Sequence, residues 1–440
     1  MRSFLRCRPF GLIPSLLLAA FAVLSAPLGA QGLSLDQAVQ AAMSQSQRIA
    51  AVQAQTLAAR ERAPAAGQLP DPVLTVGIND FPVSRPDRYS LTRDSNTQRS
   101  VGVSQQFTRS DKRSARSERA QGEVDAAQIA QRGTVLDVQR DTALAWLERS
   151  LQESMREVLR TQLTQTEQQV EAAQTLYRSG KGVQADVYVA RSEVELQRDR
   201  IMQIDRQIAV ATTRLARWIG DDAQRAIAAP PTLVLPTWTQ SDVATHLTRH
   251  PRIEAATQQQ ALVASDAALA RADKQADWSV SLTYSQRGSA YANQVSLNLS
   301  VPLQWDQANR QDRELAARLA EVERARAEAQ DVQRDHEAEV RAMLHEWRSA
   351  TERLQRYDTA LLPLAEQRSA AALSAYRSGT GSLTALLEAR RSALDVQAER
   401  LRIEMERARL WANLNYLLPN EEASDAVPAS AASTITRAAP

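Results

Sequence analysis

Residues 177–191 read YRSGKGVQADVYVAR, and residues 376–390 read YRSGTGSLTALLEAR. At a constant offset of 199, Tyr177/Tyr376, Arg178/Arg377, Ser179/Ser378, Gly180/Gly379, Gly182/Gly381, Ala190/Ala389 and Arg191/Arg390 are identical. Seven matches in fifteen positions, in a chain with only 14 glycines, point to an internal two-fold repeat. Each copy is a Gly-x-Gly turn set between two long helical patterns. Glycine supplies the positive φ that ends a helix and lets the chain reverse. One copy alone would be an ordinary helix–turn–helix corner; two at a fixed offset imply a duplicated architecture.

The composition suits an elongated molecule. Aromatic residues make up 5%, and Ala, Gln, Arg, Glu and Leu dominate. That mixture marks long helices with narrow apolar seams rather than a thick globular core. At the N-terminus Arg2, Arg6 and Arg8 precede an apolar run, Ile13–Leu24, and small residues lead to Leu28-Gly29-Ala30. This is the layout of a cleaved signal peptide over residues 1–30, the apolar run being short for a retained membrane anchor. Removing it takes the formal charge from +2 to about −1, so no nucleic-acid-binding face is implied. It also removes Cys7, the one cysteine, and with it any disulfide, zinc knuckle or thiol chemistry. No mature segment has 18 consecutive apolar residues, so the remaining route across a membrane is a β-barrel.

Working outward from the turns, each half reads as helix, hairpin, long helix, turn, long helix. The first repeat spans 31–236, with a helix from Ser34 to Pro64, a β-hairpin at about 73–107 and long helices at 110–178 and 183–219. Leu74, Val76 and Ile78 alternate with Thr75, Gly77 and Asn79, and Val101 and Val103 begin a weaker alternation ending at Phe107. The strands are long enough to cross a bilayer at a tilt, although a soluble hairpin reads the same way from this pair alone. Across 110–178 the apolar residues recur at three-four spacing, enough for a rod roughly 100 Å long. From Val187 through Val194, Ile201 and Ile208 to Leu215 the seam is that of a coiled coil.

The second repeat spans 237–419. It has a helix over Gln240–Lys274, a hairpin at about 278–303, and long helices at 306–378 and 382–418, the first with a kink expected at Pro363. Val295, Leu297 and Leu299 alternate strictly, and Trp278 and Trp305 bracket the hairpin as either an interfacial girdle or a small satellite core. After Pro419 the tail, 420–440, has the composition of a disordered segment. The fold class is therefore mixed α+β, mostly α. Four strands cannot close a membrane barrel, and open edges in lipid leave backbone groups unsatisfied at several kcal/mol each. If the hairpins cross a membrane, copies must share a barrel; three give twelve strands.

With the order of elements, the doubled Tyr-x-x-Gly turn and the Leu361-Leu362-Pro363-Leu364 kink laid out, the chain resembles the TolC-type outer membrane efflux proteins over about 33–418. Leu69-Pro70-Asp71-Pro72 and Gly77-Ile78-Asn79-Asp80-Phe81-Pro82 further resemble the branch paired with heavy-metal cation pumps of the resistance–nodulation–division (RND) type. The resemblance implies a homotrimer whose 12-stranded barrel, four strands per chain, sits in outer membrane lipid and continues as an α-helical coiled-coil barrel through the periplasm. It implies a passive channel with no cofactor, partnered by a periplasmic adaptor (membrane fusion protein) and an inner-membrane RND pump. A multidrug or type I secretion duct is the alternative within the class, and a secreted coiled-coil scaffold or adhesin is the alternative outside it.

In that family the turns form the periplasmic tips. The adaptor-contacting positions fall on Ser179, Gly180, Lys181 and Gly182 in the first turn and on Ser378, Gly379, Thr380 and Gly381 in the second. Asp186 and Tyr376 match the family's gate latch, and Glu388 matches an acidic position ringing the aperture. Gly381 stands where an arginine helps the latch in the best-known members, Ala385 replaces a second aperture aspartate, and Lys181 replaces an apolar residue. No catalytic signature is present: H-E-x-x-H, G-x-x-x-x-G-K-[ST] and G-x-S-x-G are all missing. His246 and His250 lie four apart on an expected helix, a spacing that can hold a metal, yet no third ligand is near, so a solvated face is expected. His336 and His345 are expected to be isolated.

Overall fold

The computed structural model describes residues 32–84, 86–240 and 243–419. The expected signal peptide (1–30) and the tail (420–440) lie outside the described residues. Helices α1 (Leu35–Gln45) and α2 (Gln47–Ala66) lead into strands β1 (Val73–Asn79) and β2 (Gln98–Phe107), then into α3 (Ser110–Arg178) and α4 (Gln184–Ile219). The second half holds α5 (Val243–Leu247), α6 (Pro251–Ala272), β3 (Trp278–Gln286), β4 (Gln294–Ser300), α7 (Gln311–Arg356), α8 (Leu362–Arg377) and α9 (Leu383–Asn415).

The single helix expected from Ser34 to Pro64 is two. Ser34 and Gln37 form a reciprocal capping box on α1, and Ser46 then accepts from the Ile49 N–H at 3.4 Å to start α2. Pro64 lies inside the last turn of α2 rather than ending it. Between α7 and α8, where a kink is expected at Pro363, the helical path changes just before it. Residues 357–361 widen into a π turn, in which the Leu362 N–H donates to Tyr357 O, five residues back. The wider turn lies just ahead of Pro363, which has no N–H to donate and stands in the first turn of α8.

All four strands form one antiparallel sheet in the order β1-β2-β3-β4, so the two hairpins join through β2 and β3. The register sorts the side chains by chemistry. One face carries the rows Leu74–Val103–Leu282–Leu297 and Val76–Val101–Tyr284–Val295. The other carries Thr75–Gly102–Thr283–Ser296 and Val73–Ser104–Ser281–Asn298. The apolar rows are largely exposed in the single chain, Val76 at 73% and Leu297 at 72%. Trp278 stacks on Phe107 with ring centroids 4.3 Å apart, where β2 and β3 enter the helical part, while Trp305 is exposed.

Two joints hold the rest. At the foot of the sheet the Lys112 ammonium, almost fully buried, pairs with Asp273 at 2.8 Å and Asp277 at 3.1 Å. Burial pushes the lysine down, but the bonds to the two carboxylates outweigh it and hold it above its ordinary value. Burial likewise pushes Asp277 up, and the Lys112 and Arg109 N–H groups reverse that, leaving the carboxyl below its usual range. At the waist a core gathers α1, α3, α4, α6, α7 and the end of α9 around Trp146, which is fully buried. The Trp146 indole donates to Leu33 O at 2.9 Å, and the Trp411 indole donates to Val234 O at 2.8 Å. Arg149 donates to the carbonyls of Ala223 and Arg225, which ties the segment after α4 to α3.

Trp146→Ala should destabilise the waist by about 3–5 kcal/mol, the range for emptying a large buried site, and Trp146→Phe by roughly 1 kcal/mol for the lost hydrogen bond. The urea midpoint of the helical circular dichroism signal in detergent reads both.

Candidate functional site

The two Gly-x-Gly turns close the end of the molecule opposite the sheet along α3. After Arg178, the Gly180 N–H donates to Tyr177 O at 3.0 Å, and the Lys181 and Gly182 N–H groups share Leu176 O. After Arg377, the Gly379 N–H donates to Tyr376 O at 3.1 Å, and the Thr380 and Gly381 N–H groups share Ala375 O. The bonding is the same at offset 199. Gly180 and Gly379 have φ of 71° and 73°, with open space where a Cβ would stand, so they are glycines for conformation. Gly182 and Gly381 are glycines for space: a Cβ at Gly381 would meet the Ala375 Cβ at 3.0 Å, and one at Gly182 the Leu176 Cβ at 3.1 Å. An arginine at 381 would thus press on the last turn of α8.

The return helices start differently. Ser382 accepts from the Ala385 N–H at 3.2 Å and caps α9, whereas Val183, its counterpart before α4, offers no side-chain cap. The second turn is further braced by Ser378 Oγ against Thr380 Oγ1 at 2.9 Å. Ser179, Gly180, Lys181, Ser378, Gly379 and Thr380 are exposed, and Gly182 and Gly381 are half-buried.

Beneath the turns, Ala173, Val187 and Ala190 of the first hairpin pack on Leu383 and Leu386 of the second, with Leu373, Tyr376 and Leu387 at the margin. The helical seam thus brings the two turns side by side. It also brings Tyr376 near Asp186. Burial, and then the Asp186 charge, push the Tyr376 phenol above its ordinary value. No hydrogen bond joins the two side chains among the described residues. Glu388 is exposed on α9, just below this cluster.

Arg390 has a role that its sequence surroundings do not announce. It is half-buried and donates from Nη1 to Gln165 O on α3 at 3.0 Å, linking the hairpins directly. Burial, followed by the Arg377 charge, pushes it down. Its identity with Arg191 is the one sequence signal, yet Arg191 is exposed, so the repeat does not carry this role over.

The histidines depart from expectation. His246 lies in α5, while His250 lies outside both helices as the N-cap of α6, its Nδ1 accepting from the Arg252 N–H at 3.1 Å. They do not share a helix face, because Pro251 starts a new helix. His336 is not isolated: it is buried and lies against His250 with ring centroids 4.3 Å apart. Among the described residues no group of three or more His, Cys, Asp or Glu is arranged to hold a metal ion. No described helix is long and apolar enough to cross a membrane.

Residues 38–221 match the model of the outer membrane efflux protein family. Several solved structures share the fold. The outer membrane protein VceC of Vibrio cholerae superposes with a TM-score of 0.73 at 19% identity, covering 87% of this chain and 95% of that one. CusC, described in connection with folding and transmembrane channel formation, gives 0.76 at 15% identity, covering 88% and 92%. The Campylobacter jejuni CmeC outer membrane channel gives 0.72 at 12% identity, covering 87% and 85%. No curated protein matches the chain.

Gly379→Ala should cost about 1–2 kcal/mol of local stability, the usual penalty for a side chain in the left-handed region. Gly381→Ala, with ordinary φ but no room, should instead loosen the last turn of α8. Amide exchange over 373–381 distinguishes the two.

Proposed function

We propose that the chain, whose residues 38–221 match the outer membrane efflux protein family, is a member of that family and works as a channel rather than an enzyme. Three copies close a twelve-stranded barrel in the outer membrane, and their helices form a conduit through the periplasm to an adaptor and an inner-membrane RND pump. One observation carries this reading: a four-stranded sheet with an apolar face, a polar face and two bare edges. Rows of Leu, Val and Tyr suit hydrocarbon, and rows of Ser, Thr, Gly and Asn, with Val73 at one edge, suit a watery lumen. The outer edges of β1 and β4 are unpaired within the chain, and in lipid that is tolerated only if another chain pairs with them. A secreted scaffold has no use for an exposed apolar row running across four strands.

The tip turns are the gate and the adaptor contact. Asp186 and Tyr376 are close enough to interact electrostatically, and a hydrogen bond between them would contribute roughly 1.5–3 kcal/mol, small enough for a docking partner to release. Glu388, exposed in the single chain, supplies one carboxylate per copy to a cation-attracting ring at the aperture. Ser179 to Gly182 and Ser378 to Gly381 present the surface that an adaptor meets. The cargo we assign is heavy-metal cations, on the resemblance of Leu69–Pro72 and Gly77–Pro82 to the metal-pump branch. Multidrug and type I secretion ducts share the same architecture and differ in the pump attached.

Heat-modifiable trimers in the outer-membrane fraction are expected; monomers in the medium would overturn the duct. Asp186→Ala should raise single-channel conductance in planar bilayers, and unchanged conductance would count against the latch. Gly379→Pro, which forbids the observed φ and removes the N–H bonded to Tyr376 O, should abolish efflux while trimers still assemble. A deletion strain should become sensitive to divalent or monovalent heavy metals; drug sensitivity alone would transfer the chain to the multidrug class.

A further inference from the structure

Helices α6 and α7 run beside each other and carry β3 and β4. Near the waist they are joined by an unusual contact, the imidazoles of His250 and His336, tilted by 39°. His250 is the residue on which α6 begins. Its Nδ1 accepts the Arg252 N–H, one of the donors that a helix start leaves without a partner. With Nδ1 accepting, the neutral ring carries its proton on Nε2, so Nδ1 is the one site left for a second proton. An imidazolium at this position has a donor on both nitrogens and can no longer cap the helix.

The surroundings make a cation there unwelcome. Arg252 faces the pair from α6 and Arg140 from α3. On the opposing side, Glu339 Oε2 lies 3.3 Å from His336 Nδ1, but that carboxylate also receives Arg252 at 2.8 Å, while Asp335 receives the other arm of Arg252 at 3.0 Å. Asp137 of α3 and Tyr416 beyond α9 line the same cavity, of about 500 Å3, and Asp137 is paired with Arg140. The negative groups are thus shared with arginines. The His336 ring is 5% exposed, and its Nε2 is buried without a partner among the described residues. With one proton on Nδ1 facing Glu339, a second would have to sit on Nε2, which has no acceptor among the described residues.

We propose that His250 and His336 form an acid-operated latch, in which a proton taken from solvent at His250 Nδ1 removes the cap of α6 and frees that helix start from α7. Burial, then the neighbouring His336 and Arg252, hold His250 down at about 4, and burial also lowers His336, although Glu339 acts against it. Both rings are kept neutral when latched, so the latch is at full strength above the free imidazole value of about 6.5 and weakens as pH falls from there toward about 4. The proton taken up at His250 on opening raises the open-to-latched ratio about tenfold per pH unit in that window. The periplasmic reach of an outer membrane channel is exposed to whatever acidity diffuses in from outside, and this contact is where the fold would register it.

The test is amide exchange of residues 251–260 in the purified full-length protein in detergent, between pH 7 and 4.5, corrected for the intrinsic exchange rate. Protection in the wild type should fall about tenfold per unit below pH 6.5, with a segment of α3 unaffected. His250→Asn keeps a capping acceptor that does not titrate; it should match wild-type protection at pH 7 and lose most of the pH dependence. The double variant His250→Asn/His336→Gln should be flat across the range. A wild type without slope, or a double variant retaining the wild-type slope, overturns the latch.

Discussion

A backbone N–H or C=O group with no partner in hydrocarbon costs several kcal/mol, and on the proposed membrane reading this constraint governs the sheet. The chain has four strands and two outer edges, on β1 and β4, and among the described residues no further strand covers them. Its apolar face is equally unprotected, with Leu74, Val76, Val295, Leu297 and Leu299 all exposed in the isolated chain. A soluble protein would cover or charge such edges. Here the edges are long and unblunted, and the proposed assembly comes from pairing them. The helical part is then obliged to track the sheet, because α3 and α7 leave it directly after β2 and β4.

The force that positions the tips is different in kind. They lie at the end of a 69-residue helix, whose accumulated flexibility would leave an isolated turn poorly placed. The waist core around Trp146 and the small cluster of Ala173, Val187, Leu383 and Leu386 hold the hairpins together at two heights, with Arg390 bridging to Gln165 between them. Direct hydrogen bonds and apolar packing provide the placement; most ion pairs along the helices are exposed and contribute little. That leaves the turns themselves exposed at the end of the molecule.

Periodicity makes much of this legible. The apolar alternation at Leu74–Ile78 and Val295–Leu299, and the doubled Gly-x-Gly, announce strands and turns because their chemistry is local. Local capping is legible too, but it competes with the helical rhythm that runs across it. Ser46 before Ile49 splits the first helix, and Pro251 after His250 separates two histidines whose spacing alone suggests one face. Contacts that depend on distant partners leave no such mark. Nothing near His336 in sequence announces His250, and nothing near Arg390 announces Gln165, since both contacts are made only when separate helices pack. The second glycine of each turn is legible as a residue but not as a need, because the atoms it must avoid belong to the preceding helix.

The central pairing of the sheet bears on how such a chain comes to be folded. Gln106 and Asp277, neighbours where β2 meets β3, are separated by 171 residues, a span that contains the whole of the first long helical hairpin together with α5 and α6. Loop closure on that scale is slow, and the contact is non-local by any measure. During synthesis, β1 and β2 emerge first and remain a two-stranded hairpin, marginal by itself, until β3 arrives. Throughout that interval an apolar, hydrogen-bond-hungry ribbon is on display to every other copy and every other protein nearby. The order in which the halves appear thus builds a period of vulnerability into biogenesis that the finished four-stranded sheet no longer shows.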